Sequence, residues 1–237
     1  MTITLVATSH GSGVPAARTS ITALVDAVRE LTRMEVREAF VDVQEPAVAR
    51  VVEEVGGPAV VVPLLLAPGF HVHVDIAQAV DRPTVVASST LGPDPRLTRV
   101  MLSRLAETGV TRDDIVVLGA AGSTDARARQ SVDAAARMLG AAWGAPVPVG
   151  YVGGSGSPID EIVSDVSHKG RRVVVASYLM APGFFYDKLL RCGAEVVTRP
   201  LLDGHDVDPD MVSLVLDRFA EGASVLERAS AWSTTRA

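Results

Sequence analysis

At 237 residues the chain has room for one large domain or two small ones, because domains centre on roughly 100 to 150 residues. Hydrophobic residues make up 48% and charged residues 21%, which excludes a disordered chain; with aromatics at only 4%, Val, Leu, Ile and Ala must fill the core. The net charge of −6, with no basic block and no aromatic patch among basic residues, excludes nucleic-acid binding, which works by displacing counterions with concentrated positive charge.

Short β-branched runs alternate along the chain with longer segments of helical periodicity. The runs are residues 3–8, 36–43, 59–66, 84–88, 115–119, 147–152, 172–179 and 194–198. Several are apolar throughout, as strands covered on both faces must be, and this predicts parallel sheet. Between them, residues 16–33 place Ile21, Leu24, Val25, Val28 and Leu31 at three- and four-residue spacing, and residues 96–107, 125–139 and 209–220 behave alike. Each is expected to be an amphipathic crossover helix. Residues 55–74 and 138–159 carry no Asp, Glu, Lys or Arg, but Gly and Pro interrupt both, so neither supplies the unbroken apolar helix a bilayer needs. The opening MTITLVATSH reads as a strand and not as an export signal, and one cysteine, Cys192, leans toward a reducing compartment; a cytoplasmic protein is expected.

The chain resembles itself. VVPLLLAPGFHVHVDI (61–76) answers VVASYLMAPGFFYDKL (174–189), and LVATSHGSG (5–13) answers VVLGAAGST (116–124). A duplication follows, predicting two similar α/β lobes, 1–110 and 111–237, each a mostly parallel sheet flanked by helices, with a cleft between them. The copies differ where chemistry would sit: His10 meets Ala121, and His71 meets Phe185. Both histidines follow apolar strands, where an open parallel sheet exposes its ligand crevice. One half therefore carries imidazoles and the other apolar contacts, as a single site facing the cleft requires.

In TSHGSG, Gly11 and Gly13 permit a tight turn, and Pro15 starts a helix; the loop lacks the lysine of a phosphate loop and the GxGxxG of a dinucleotide fold. Neutral imidazole at His10 or His71 can coordinate a divalent ion or accept a proton. His73 points away from His71 if the segment is extended, and Asp75 can orient an imidazole or cap a helix near Ile76. Asp42 closes the second run and can join two imidazoles around a metal; Glu45, before Pro46, can do the same or serve as an early-helix anion. His205 and its neighbouring aspartates lack the calcium-loop pattern and read as surface. GxSxG, HExxH and CxxC are absent from the sequence.

TSHGSG at the first strand end, AFVDVQEP at the second and PLLLAPGFHVHVDI at the third resemble the sirohydrochlorin chelatases, the small class II chelatases of sirohaem and cobalamin synthesis. The resemblance covers both halves. It implies a lyase that inserts Fe²⁺ or Co²⁺ into metal-free sirohydrochlorin, with no permanently bound cofactor, as monomer or homodimer. His10 and His71 match the family's two histidines and are implied as metal-binding and catalytic residues. The family frequently has Glu where this chain has Asp42, so the resemblance implies the carboxylate role for Asp42 or, failing it, Glu45. For the tetrapyrrole it implies Ser9, Gly11 and Ser12 as donors to carboxylates, and Phe70, Phe185 and Tyr186 as apolar contacts. The opposing reading is a non-enzymatic carrier of tetrapyrrole or divalent metal using the same cleft.

Overall fold

β1 (Thr4–Ser9) is buried along its whole length, and that follows from its place in the sheet. The computed structural model describes residues 2–69, 76–167, 170–204 and 206–234, the side chains of 231–234 excepted. In chain order the first half contains β1, α1 (Pro15–Leu31), β2 (Val36–Phe40), α2 (Val48–Val55), β3 (Ala59–Pro63), the single turn α3 (Ala77–Ala79), β4 (Val85–Ala87) and α4 (Pro95–Glu107). The second contains β5 (Ile115–Ala120), α5 (Ala126–Trp143), β6 (Val149–Tyr151), α6 (Ile159–Ser167), β7 (Val173–Tyr178), α7 (Phe184–Leu189), β8 (Val196–Val197) and α8 (Pro209–Thr234).

Two four-stranded sheets result, ordered β2-β1-β3-β4 and β6-β5-β7-β8. Every pairing in them is parallel, with Leu5 opposite Val36 and Val60, and Leu118 opposite Val149 and Ala176. Identical strand order is what a duplicated sequence must produce. Because successive side chains alternate between faces, each apolar run serves two cores at once. Leu5, Ala7, Val60 and Val62 point to a central core, where they share one continuous cluster with Leu118, Val174 and Ala176 of the other sheet. Val6 and Val61 point outward under α2, while Val117, Val173 and Val175 point outward to meet α6 residues Ile159 and Val163.

The helices between the sheets are exchanged. α8 ends the second half, yet it packs on β3 and β4 of the first; α4 ends the first half and packs on β7 of the second. The crossing is close: Gly222 of α8 is buried so tightly that a β-carbon there would overlap Val60 Cγ1 of β3. Ion pairs tie the crossed helices together, Arg96 to Asp217 at 2.5 Å and Arg99 to Asp210 in a fork of 2.7 Å on both arms. Asp94 caps α4, accepting from Arg96 N–H at 2.9 Å. Burial pushes its carboxyl up, but the Arg96 hydrogen bonds and the Arg96 and Arg218 charges outweigh that and hold it below the usual range.

Four differences from the sequence reading have physical causes. β2 stops at Phe40, because the chain beyond it leaves the ladder to pack on the loop after β1. α5 runs on to Trp143, which is buried in the central core. α8 continues to Thr234 instead of ending near residue 220, because its second part covers the first sheet. Of the short helices, α2 is marked in the sequence only by its start near Pro46, and α6 and α7 not at all; at 8, 9 and 6 residues they show too few turns for a period to register. No helix among the described residues is long and apolar enough to cross a membrane.

Candidate active site

Each sheet's central strand ends in a turn whose glycine has no room for a side chain. Gly11 has φ +88° and Gly122 φ +94°; a β-carbon on Gly11 would overlap the Asp42 carbonyl oxygen, and one on Gly122 the Gly153 carbonyl oxygen. The close approach docks the loop after β2 onto the loop after β1. Val41 N–H donates to Ser9 O and Asp42 N–H to His10 O, both at 3.0 Å, and Ser12 N–H donates to Gln44 Oε1 at 2.8 Å. The turn of the docked loop forces Val43 to φ +63°, the only non-glycine at positive φ among the described residues, while the second half has Gly154 at φ +68° in the matching turn. Val43 remains 55% exposed.

The docked loops form one side of a cleft of about 750 Å³, within the range of small-molecule and cofactor sites. Its first-half wall comprises Ser9 to Val14, Val43, Gln44, Leu64 to Ala67 and Gly69, with Ala17, Arg18 and Ile21 of α1. The second-half wall comprises Ala120 to Thr124, Tyr151 and Tyr178 to Phe185, with Ala128, Arg129 and Val132 of α5. The cleft thus lies at the carboxyl ends of both parallel sheets. Ala121 and Phe185 stand on the wall facing the histidine-bearing half, and Phe184 adds an exposed ring edge-on to Phe185, with centroids 5.5 Å apart.

His10 sits at the cleft with its ring exposed and Nδ1 3.3 Å from Gly11 O. That carbonyl favours the tautomer with the proton on Nδ1 and the lone pair on Nε2. Ser9, Gly11 and Ser12 line the cleft beside it, and Ser12 Oγ also accepts from Val14 N–H at 3.0 Å at the start of α1. Phe70, His71, His73, Asp75 and His205 lie outside the described residues. Asp42 and Glu45 are not on the cleft wall: the Asp42 carboxylate accepts from Val43 N–H at 2.7 Å, and the Glu45 carboxylate from Ala47 N–H at 2.9 Å at the head of α2. Tyr186 turns from the cleft onto the outer core of the second half. Among the described residues no cluster of three or more His, Cys, Asp and Glu side chains could hold a metal ion.

Two tyrosines at the cleft are kept neutral. Burial pushes the Tyr178 hydroxyl up, with a smaller push from the Asp94 charge, and it donates to Leu66 O at 3.4 Å across the two halves. Burial likewise raises Tyr151, with Asp133 adding to it and Arg129 opposing. Neither supplies a phenolate at neutral pH.

The CbiX family model matches residues 4–108 and, a second time, residues 115–221. The chain belongs to the CbiX family. No curated protein matches the sequence at a significant level. Among solved structures, SirB from Bacillus subtilis with Fe³⁺ superposes on this CbiX chain with a TM-score of 0.79 at 21% identity, covering 96% of this chain and 98% of SirB. The sirohydrochlorin chelatase SirB from Bacillus subtilis subspecies spizizenii in complex with cobalt gives 0.76 at 21% identity, covering 94% and 96%. DR2241 from Deinococcus radiodurans, a multi-domain protein with structural similarity to chelatases, gives 0.66 at 21% identity over 92% of this chain and 54% of its own. At such identity these likenesses speak for the fold, and the matching of both halves by one family model explains the repeated strand order.

Several cleft residues of this CbiX chain escaped the sequence reading. Arg18 and Arg129 are signalled by the duplication, since each follows its loop serine by six positions, but the apolar period of the two helices says nothing of their polar faces. Gln44 and Val43 carried no signal, because nothing in a sequence marks a valine for the left-handed region.

Proposed function

We propose that the cleft takes up metal-free sirohydrochlorin and that the protein inserts Fe²⁺ or Co²⁺ into it, each turnover releasing the two pyrrolic protons. The carrying observation is one cleft across the carboxyl ends of both sheets, with His10 on one wall and Ala121 and Phe185 on the other, in a chain matched twice by the CbiX family. The relatives SirB with Fe³⁺ and SirB with cobalt support the choice of metals.

The ion must shed water, meet one face of the ring and leave its donors again. An imidazole suits this, since it binds divalent ions without the firm grip of a closed thiolate site. His10 is the first imidazole of the proposed set and His71 the second, while Asp42 and Glu45, whose carboxylates accept from Val43 N–H and Ala47 N–H away from the cleft wall, are left out of it. The aliphatic and aromatic wall, Leu64 to Leu66, Met180 and Phe185 among it, takes the apolar face of the macrocycle and displaces water from it.

Anaerobic turnover of metal-free sirohydrochlorin with Fe²⁺ and Co²⁺ tests the reading. Multiple turnovers well above the uncatalysed rate are expected, and His10→Ala should lower the rate about 100-fold, the lower end of what a positioned acid–base or ligand group contributes, with little change in Tm. Near-native turnover of that variant at saturating metal would remove His10 from the mechanism. Stoichiometric binding without turnover would replace the enzyme by a carrier.

A further inference from the structure

The protein carries a net charge of −6, yet the described wall of its cleft contains no Asp, Glu or Lys and two arginines, Arg18 and Arg129. They are equivalent residues of the two halves. Arg18, in the first turns of α1, donates from Nε to Ser12 O at 2.6 Å; Arg129, in the first turns of α5, donates from Nη1 to Ser123 O at 3.4 Å and Thr124 O at 3.2 Å. Each guanidinium is therefore fixed to its own strand-end loop by neutral carbonyls. Among the described residues neither makes an ion pair, whereas Arg29, Arg50, Arg96, Arg99, Arg127 and Arg172 all have carboxylate partners. The loop contacts use one nitrogen of each, and the fork left over is the geometry that takes a carboxylate. Asp133, one turn beyond Arg129, lines a separate surface groove with Arg137.

Two cations at a site for a divalent cation oppose metal capture, so their use lies with the other substrate. We infer that Arg18 and Arg129 anchor the acidic arms of the macrocycle, one from each half, and so set which tetrapyrroles the cleft accepts and where the ring sits over His10. This rests on the chelatase reading of the cleft and adds the residues that select its polycarboxylate substrate.

Metal-free uroporphyrin, with acetate and propionate arms, and coproporphyrin, with fewer carboxylates, serve as fluorescent binding probes for the full chain, alongside the insertion assay. Arg18→Gln and Arg129→Gln should each weaken uroporphyrin binding about tenfold, as loss of a hydrogen-bonded charge contact does. Lys at either position should recover part of it, and Arg50→Gln should change nothing. The KM for metal should stay level or fall. A merely structural role would instead raise both constants together with a loss of Tm. Wild-type binding should weaken with salt, more steeply for uroporphyrin than for coproporphyrin, and this reading needs no variant to fold. Unchanged uroporphyrin binding in both Gln variants, or equal salt slopes for the two porphyrins, overturns the anchor, and wild-type turnover alongside either result leaves the chelatase reading intact. Arginine-dependent binding without turnover keeps the anchor and removes the insertion reading.

Discussion

A glycine inside an exposed helix is a weak point, and replacing it by alanine normally stabilises by about 1 kcal/mol. Gly222 lies inside α8, and the opposite sign is expected for Gly222→Ala. The new methyl would overlap Val60 Cγ1 and stand 3.0 Å from Val60 Cγ2 and 3.3 Å from its Cβ. Val60 is fully buried in the inner strand β3 and branched at Cβ, so it has no rotamer into which to retreat cheaply. Overpacking of this kind costs about 1 to 3 kcal/mol, which outweighs the propensity gain and leaves a net loss of about 1 kcal/mol. For a chain this long that is a drop of roughly 2 to 4 °C in Tm. Urea unfolding of Gly222→Ala, Val60→Ala and the double variant closes a cycle. Val60→Ala alone should cost about 2 kcal/mol through the cavity it leaves, and the pair should be less destabilised than the sum by at least about 1 kcal/mol. If Gly222→Ala raised Tm and the two changes added, α8 would not be seated on β3, and the helix exchange between the halves would be wrong.

Two further outcomes follow from the loops and the connection between the halves. Val43→Gly should leave Tm nearly unchanged, because relief of a β-branched residue at φ +63°, worth about 1 to 3 kcal/mol, offsets the entropy and the partial burial lost; a fall of more than about 5 °C would show that the strain is absent. Asp114 ties the connecting segment to β7, and the Arg172 guanidinium, with the Thr111 N–H second, holds its carboxyl down to about 2. Its folded value lies below the roughly 3.9 of an unfolded aspartate, so its stabilisation is complete above pH 4 or so and is lost as pH falls toward 2. Asp114→Asn should therefore lower Tm at pH 7 and converge with the wild type near pH 2, whereas a constant difference across that span would refute the linkage.

The strands were legible in the sequence because a parallel strand covered on both faces has no polar face to blur its outline: AVVV at 59–62 is fully buried and reads as strand in any window. The duplication was legible for the same reason, since APGF and the Gly-Ser turns sit at strand ends, where backbone geometry restricts the choice of residue. What each helix packs against was not. α8 and α4 have ordinary amphipathic periods, and a period says that a face is buried without saying which sheet buries it; the exchange depends on a small residue, Gly222, meeting Val60. Asp42 shows the same limit at the site. A carboxylate at the end of an apolar run reads as a cleft ligand, but the run leaves the ladder at Phe40, and two residues later the side chain closes its own loop.

That loop carries an asymmetry that duplication alone would have erased. Both halves need the left-handed turn, and the second meets the need with Gly154, the residue for which it costs nothing. The first pays with a valine whose side chain is more than half exposed, so the packing it makes in the free protein does not recover the strain. Strain of this kind persists where the surroundings impose it, and it clusters at ligand sites. Here the surroundings are named: Gly11 admits the Asp42 carbonyl, Asp42 holds Val43 N–H, and Gln44 holds Ser12 N–H. The result is an apolar side chain fixed beside His10 on the one wall that carries an imidazole, while the opposite wall, relaxed at Gly154, offers Phe185. A ring held between Val43 and Phe185 would present one face to His10 and the other to a wall with no imidazole among the described residues. Ala121 and Phe185, at the positions that answer His10 and His71 in the repeat, thus keep imidazole off that wall.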